Sequence, residues 1–263
     1  MKLAFITPTD LCETYATQSD YHLVLTHVYE ADERYRNFYK GRVAAGDFVI
    51  LDNSAYELGG SVSLDRLEDA AADLNPAAVF LPDTRFDMMK TLRDTEHALK
   101  VWEDAPWKKF AVPQGSNFQE VITCYQELLK LGVDGFGFYE EIGEVCGLGT
   151  REEFLRCLEK LDEEFEGRLL PDGVHYHLLG GEEDVTSVKR LSKFSWVHGM
   201  DSAKAVVYGI YRIRFLETGA EKPYPHRPKN YFDIRMQDLS LYAHQVIQHN
   251  ITTLKKWAQN SEE

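Results

Sequence analysis

FVILDNSAYELGGSVSLDRLEDAAADLNPAAVFLPD, residues 48–83, reads as strand, helix, strand. FVILDN (48–53) and AVFLPD (78–83) are short apolar runs that end in polar residues, and the stretch 64–74 between them is helical in pattern. Continuous apolar runs of this length fit strands buried on both faces, as in parallel sheets.

The same alternation extends in both directions. LAFITP (3–8) and YHLVLT (21–26) precede it; KFAVPQG (109–115), GFGFYE (135–140), VHYHLLG (174–180) and WVHGMD (196–201) follow. Helical stretches are expected at 30–45, 88–104, 117–131, 150–166, 183–193 and 203–217. In 117–131, Val121, Tyr125, Leu128 and Leu129 share one face, with Asn117 as N-cap and Gly132 just past the end. Eight strands with interleaved helices predict an α/β chain of the (β/α)8 TIM-type barrel class. The connection at 9–20 has the weakest helical signal, and a doubly wound sheet is the alternative. Residues 1–218 are read as the barrel. Residues 219–263 are read as a Pro-rich linker (219–231) and a C-terminal helix, from about 233 to 259, that packs on the barrel through Met236, Leu239, Tyr242, Ala243, Val246 and Ile247.

With 263 residues the chain is long enough for one large domain with its own core. The formal net charge of -14 argues against loose, charge-driven binding to nucleic acid, although a local basic groove is compatible with it. Cys12, Cys124, Cys146 and Cys157 lack zinc-ligand spacing, so reduced structural thiols and no metal or zinc subdomain are expected. The N-terminus lacks a signal-peptide pattern and no apolar run reaches membrane-spanning length, so a cytoplasmic protein without membrane contact is expected.

Active sites of β/α barrels lie at the C-terminal ends of the strands. Here the third strand ends in Asp52, followed by Asn53-Ser54-Ala55-Tyr56. The fourth ends in Asp83, the fifth in Gln114-Gly115, the seventh in His177-Leu178-Leu179-Gly180-Gly181 and the eighth in Asp201. Each has a simpler reading. Asp201 and Asp83 are placed to cap the next helix, Asp52 to hold an Asx turn, and Gln114-Gly115 to make a tight turn. Several carboxylates at one rim suit nucleophilic and acid–base roles, because burial and mutual repulsion separate their pKa values. Gly147-Leu148-Gly149-Thr150 and Gly180-Gly181 precede helices, where backbone amides can hold a phosphate or a carbonyl.

FAVPQGSNFQEV, GVDGFGFYEEIGEVCGLGTREEFLRCL, HYHLLGGEEDV, WVHGMDS and LDNSAYELGG resemble, in order over roughly 48–210, motifs of the queuine/archaeosine tRNA-guanine transglycosylase superfamily. The chain lacks that superfamily's zinc motif, and Ala203-Lys204-Ala205 replaces its P-T-R segment. It is thereby more similar to the trimmed phage-type relatives that insert 7-deazaguanines into DNA. The resemblance implies replacement of guanine in DNA by a free 7-deazaguanine (preQ0-type) base through a covalent aspartyl–glycosyl intermediate, with no cofactor. It implies Asp201 as nucleophile, Asp52 as general acid/base, and Asp83 and Gln114 as readers of the base. Gly115, Tyr56, Gly137, Phe138 and Gly180 would line the base pocket. The target nucleotide would be flipped or single-stranded. Lys204, Arg227 and Lys229 are the expected phosphate contacts. A homo-oligomer or a helper protein fits this scheme, as does the cytoplasm of a host cell if the chain is phage-encoded. The alternatives are the same exchange on tRNA, and a non-catalytic barrel that binds nucleic acid or a base.

Overall fold

All eight apolar runs form strands in a computed structural model, which describes residues 1–182 and 184–259. They are β1 (Lys2–Phe5), β2 (Tyr21–Leu25), β3 (Phe48–Asp52), β4 (Ala78–Phe80), β5 (Lys108–Ala111), β6 (Gly135–Tyr139), β7 (His175–Leu179) and β8 (Gly199–Ser202). Every pairing is parallel, in the order β1-β8-β7-β6-β5-β4-β3-β2. β1 and β2 lie against each other, but no backbone hydrogen bond joins them among the described residues. The result is a nearly closed (β/α)8 barrel of the TIM type with a C-terminal helix.

The longer helices begin where the sequence supplies a capping side chain. Asp32, Ser63, Asp87, Asn117 and Thr150 accept backbone N–H bonds at the starts of Glu33–Ala44, Leu64–Leu74, Met88–Val101, Phe118–Lys130 and Arg151–Glu164. Their apolar faces close over the barrel wall; Val121, Tyr125 and Leu128 are buried, and Leu129 partly so.

The lower barrel interior is filled by rings. Tyr21 stacks on Phe48 with centroids 5.5 Å apart, and His175 lies between Phe48 and Phe110 at 5.1 and 5.0 Å. Such rings need room, which glycines on the neighbouring strands provide. A Cβ at Gly199 would sit 2.3 Å from the Tyr21 ring, and one at Gly137 2.7 Å from Phe80 and Leu179.

Three connections differ from the sequence reading. The helix expected at 203–217 is confined to Lys204–Ile210, because Arg212 turns left-handed (φ 61°) and Phe215–Leu216 pairs with Gly219–Ala220 as a small hairpin. The helix expected at 183–193 forms at Ser187–Leu191. The last helix runs from Leu241 to Gln259 and does not start near 233. Residues 231–238 instead make two 3-10 turns, anchored by the Tyr231 hydroxyl on the Ile6 carbonyl and by the Met236 amide on Asp10. The last helix packs most extensively against Lys204–Ile210, burying Ile247, Ile251, Leu254 and Trp257. No helix among the described residues is long and apolar enough to cross a membrane.

Candidate active site

A cavity of about 630 Å³ opens at the C-terminal ends of the strands, a size suited to a small ligand. Asp52, Asp83, Gln114, Gly180 and Asp201 line it, with Ile6, Leu23, Leu25, Val112 and Leu179 as apolar wall. Asp52, Asp83 and Asp201 are each less than 10% exposed. The strands thus bring together the carboxylates that the sequence placed at one rim.

The three aspartates are held differently. Asp83 is fully engaged: Oδ1 accepts from Asn53 Nδ2 and Oδ2 from Gln114 Nε2, both at 2.7 Å. The partners are fixed in turn. Asn53 also donates to the Leu81 carbonyl and accepts from the Ala55 amide, and the Gln114 carbonyl oxygen accepts from the Phe86 amide. Phe86 is a bulky residue with φ 63°, a costly conformation held by this network. Burial pushes the Asp83 carboxyl up to about 6, against the opposing hydrogen bonds from Asn53 and Gln114.

Asp52 and Asp201 each keep one oxygen without a protein partner among the described residues. Asp52 Oδ2 accepts from the Ser54 amide at 2.7 Å, the Asx turn that the sequence allowed. Ser54 adopts a left-handed φ of 61° and its hydroxyl meets His27 Nδ1 at 2.9 Å, which fixes the turn. Burial, with Glu57 and to a lesser degree Asp201 and Asp83 nearby, raises the Asp52 carboxyl well above the usual range, so its protonated form is favoured. Asp201 Oδ1 accepts from the Gly180 amide at 2.9 Å and meets His177 Nε2 at 3.1 Å. Asp201 caps no helix; Ser202 accepts the Lys204 amide there. Asp83 caps none either, since Asp87 begins the next helix.

Arg151, fully buried, ties this rim together. Its guanidinium donates to the carbonyls of Phe138, Leu179 and Gly180 and lies 3.4 Å from Glu182. Thr150 and Glu153 cap the helix that carries it, so the Gly147-to-Thr150 turn closes on itself.

The other expected site residues divide by position. Tyr56 stands at the rim, 63% exposed, under the Arg85 guanidinium. Gly180 supplies the amide that holds Asp201. Gly115 lies beneath Glu120 and Val121, where a Cβ would approach to 2.7 Å, and it does not line the cavity. Gly137 and Phe138 also lie outside the lining: Gly137 makes room for Phe80, and Phe138 packs toward Phe154 and Trp196 in the helix layer. Of the three expected phosphate contacts, Lys229 is exposed. Lys204 is buried in the cavity wall over the Tyr224 ring, and Arg227 lines the cavity and pairs with Glu57. Asn53, His177 and Tyr21 emerge as parts of the site although they were not singled out as site residues; their position one residue after, or within, the strands was the available signal. Among the described residues no group of three or more His, Cys, Asp or Glu side chains is arranged to hold a metal ion.

No protein-family model and no curated protein matches the chain. Solved structures do. A provisionally named fructose-1,6-biphosphate aldolase from Coccidioides immitis aligns with a TM-score of 0.54 and 11% identity over 99% of this chain and 91% of its own. 3-Keto-L-gulonate-6-phosphate decarboxylase from Vibrio cholerae aligns with a TM-score of 0.52 and 11% identity over 98% of both chains. These findings correct the family resemblance. The short motifs that resembled guanine transglycosylases correspond to no family match, and the structural neighbours carry names of aldolase and decarboxylase enzymes. The assignment to that superfamily, the exchange of guanine for a 7-deazaguanine in DNA, its tRNA variant and the phage setting are therefore withdrawn. At this level of identity the likeness establishes that the chain shares the (β/α)8 barrel fold.

Proposed function

We propose that this barrel is a proton-transfer enzyme, of isomerase or lyase type, that acts on a small uncharged or cationic molecule bound in the mouth. One observation carries this reading: of the three buried aspartates, Asp52 and Asp201 each present one unengaged oxygen to the cavity, whereas Asp83 has both oxygens occupied. Asp52, favoured as the acid, is the proton donor, and Asp201 is the acceptor. Asp83, Asn53 and Gln114 form a rigid shelf; the second N–H of Gln114 is its remaining donor toward a ligand. Both fold neighbours carry enzyme names, which supports catalysis over passive binding.

Both neighbours' names specify phosphorylated compounds. The cavity here argues for another ligand. Asp52, Glu57, Asp83, Glu140, Glu141, Glu144 and Asp201 line it against Arg85, Lys204 and Arg227, and these cations are engaged within the protein, Arg85 with Glu141, Arg227 with Glu57 and Lys204 over the Tyr224 ring. Such a field repels anions.

The test is incubation of the protein in deuterated water with a panel of small polar metabolites, read by mass spectrometry for deuterium incorporation or product. The expected outcome is incorporation into an uncharged or cationic compound by the wild type, lost in Asp52→Asn and in Asp201→Asn. A compound turned over equally well by both variants overturns the assignment.

A further inference from the structure

Below Asp201 the barrel interior holds an unbroken line of proton-carrying groups. His177 Nε2 lies 3.1 Å from Asp201 Oδ1, its Nδ1 lies 2.8 Å from the Tyr21 hydroxyl, and that hydroxyl lies 2.9 Å from His175 Nε2. The line descends through the barrel. Asp201 lines the mouth, His177 is completely buried, and His175 is the first residue of β7, partly exposed at the opposite, N-terminal face. Exposed His198 stacks on His175 there at 4.3 Å, with exposed Lys108 nearby. Barrel interiors are commonly filled by branched aliphatic side chains. Here three polar residues occupy that space, and the glycine at 199 leaves room for the Tyr21 ring.

We propose that His175, Tyr21 and His177 form a proton conduit through which Asp201 exchanges its proton with solvent on the N-terminal face. The inference rests on the reading of Asp201 as a proton-handling carboxylate. One passage balances as follows. With Nε2–H on His177, the Tyr21 hydroxyl donates to His177 Nδ1 and His175 Nε2–H donates to Tyr21. A proton taken up at His175 Nδ1 lets the Nε2 proton of His175 move to Tyr21, the Tyr21 proton to His177 Nδ1, and the His177 Nε2 proton to Asp201. One proton enters, Asp201 becomes neutral, and both imidazoles end neutral with their protons on Nδ1. The reverse sequence discharges it. Burial, with His198, His177 and Lys108 nearby, lowers His175 to about 3, and burial, with Asp201 nearby, keeps the Tyr21 hydroxyl protonated. Neutral imidazole and phenol each donate and accept one proton, as a relay requires.

The experiment needs no substrate. In the full-length protein labelled with 15N-histidine, the exchange of the His177 Nε2 proton with deuterated water is followed by NMR. The comparison is wild type against Tyr21→Phe and His175→Phe, both of which retain a ring in the stack. Each is expected to slow exchange by about tenfold, the factor corresponding to the loss of one buried hydrogen bond from the path. His175 does not touch His177 through a hydrogen bond, so a purely structural role for Tyr21 predicts no slowing in His175→Phe. If either variant exchanges at the wild-type rate, the proton reaches His177 another way and the conduit is overturned. If Tyr21→Phe does not fold, His175→Phe alone decides. Unimpaired turnover in Asp201→Asn would remove the catalytic reading of that residue and leave the exchange result standing separately.

Discussion

The two sides of the mouth solve the problem of a buried carboxylate in opposite ways. On the β4–β5 side, Asp83 is saturated by Asn53 and Gln114, whose own remaining groups are largely spent on backbone. On the β7–β8 side, Asp201 is held through one oxygen alone, by the Gly180 amide and His177; Asp52, at the end of β3 next to Asp83's own strand, is likewise held through one oxygen, by Ser54. A saturated carboxylate contributes rigidity, because each buried donor already has its partner. A half-engaged carboxylate is oriented and still able to react. Burial and residue type are the same at all three positions, so hydrogen-bond arithmetic separates structure from chemistry here.

The largest effects should fall on the two half-engaged carboxylates. Asp52→Asn and Asp201→Asn are expected to cut turnover of the deuterium-screen substrate by on the order of 10²–10⁴-fold, with the unfolding midpoint little changed. The amide oxygen of Asn still accepts the Ser54 or Gly180 N–H. A variant that loses stability in place of activity would put that aspartate in Asp83's class.

Asp83→Ala should show the reverse pattern. It leaves the Asn53 and Gln114 donors buried without their acceptor, at a cost of about 2–4 kcal/mol in urea-measured stability. A loss below about 0.5 kcal/mol, the usual range for surface changes, would show that the shelf holds nothing together.

Acidity gives a third comparison. The Asp83 carboxyl sits at about 6 in the folded state against 3.8 ordinarily. A raised folded value means that its contribution to stability is fully present below about pH 4, and is lost as pH rises toward and through about 6. Urea midpoints measured from pH 4 to 7 should therefore fall less steeply with rising pH in Asp83→Asn than in the wild type. Parallel curves would locate the titration elsewhere. The smallest effect belongs to the rim: Tyr56→Ala, at an exposed side chain, should change stability by less than about 0.5 kcal/mol and weaken binding of the screened ligand.

The strands were legible as short, largely apolar runs between polar stretches, although β7 and β8 carry His175, His177 and Asp201, and the helix at 64–74 was legible to the residue because Ser63 and Asn75 bound it. The 204–210 and 241–259 helices were shorter than their patterns, since tertiary anchors such as Tyr231 on Ile6 and the left-handed Arg212 are invisible in periodicity. At the site, the three aspartates were legible from their place at strand ends. Their division of labour was not, because it depends on which oxygen meets Asn53, Gln114, Ser54, Gly180 or His177 across neighbouring strands. Phe138 was misplaced for a simple reason: side chains alternate along a strand, and its ring faces the helices. The family resemblance failed because short motifs of glycine, aspartate and glutamine at strand ends recur wherever a β/α barrel builds a polar mouth.

The joint between β1 and β2 has a mechanical consequence. Among the described residues seven of the eight joints of the ring are ladders of backbone hydrogen bonds, and at this one the two strands lie side by side without a ladder. Ile6 at the end of β1 and Leu23 and Leu25 on β2 flank it, and all three line the cavity. A change of girth at that joint would break no ladder bond, and three aliphatic residues of the cavity wall stand beside it.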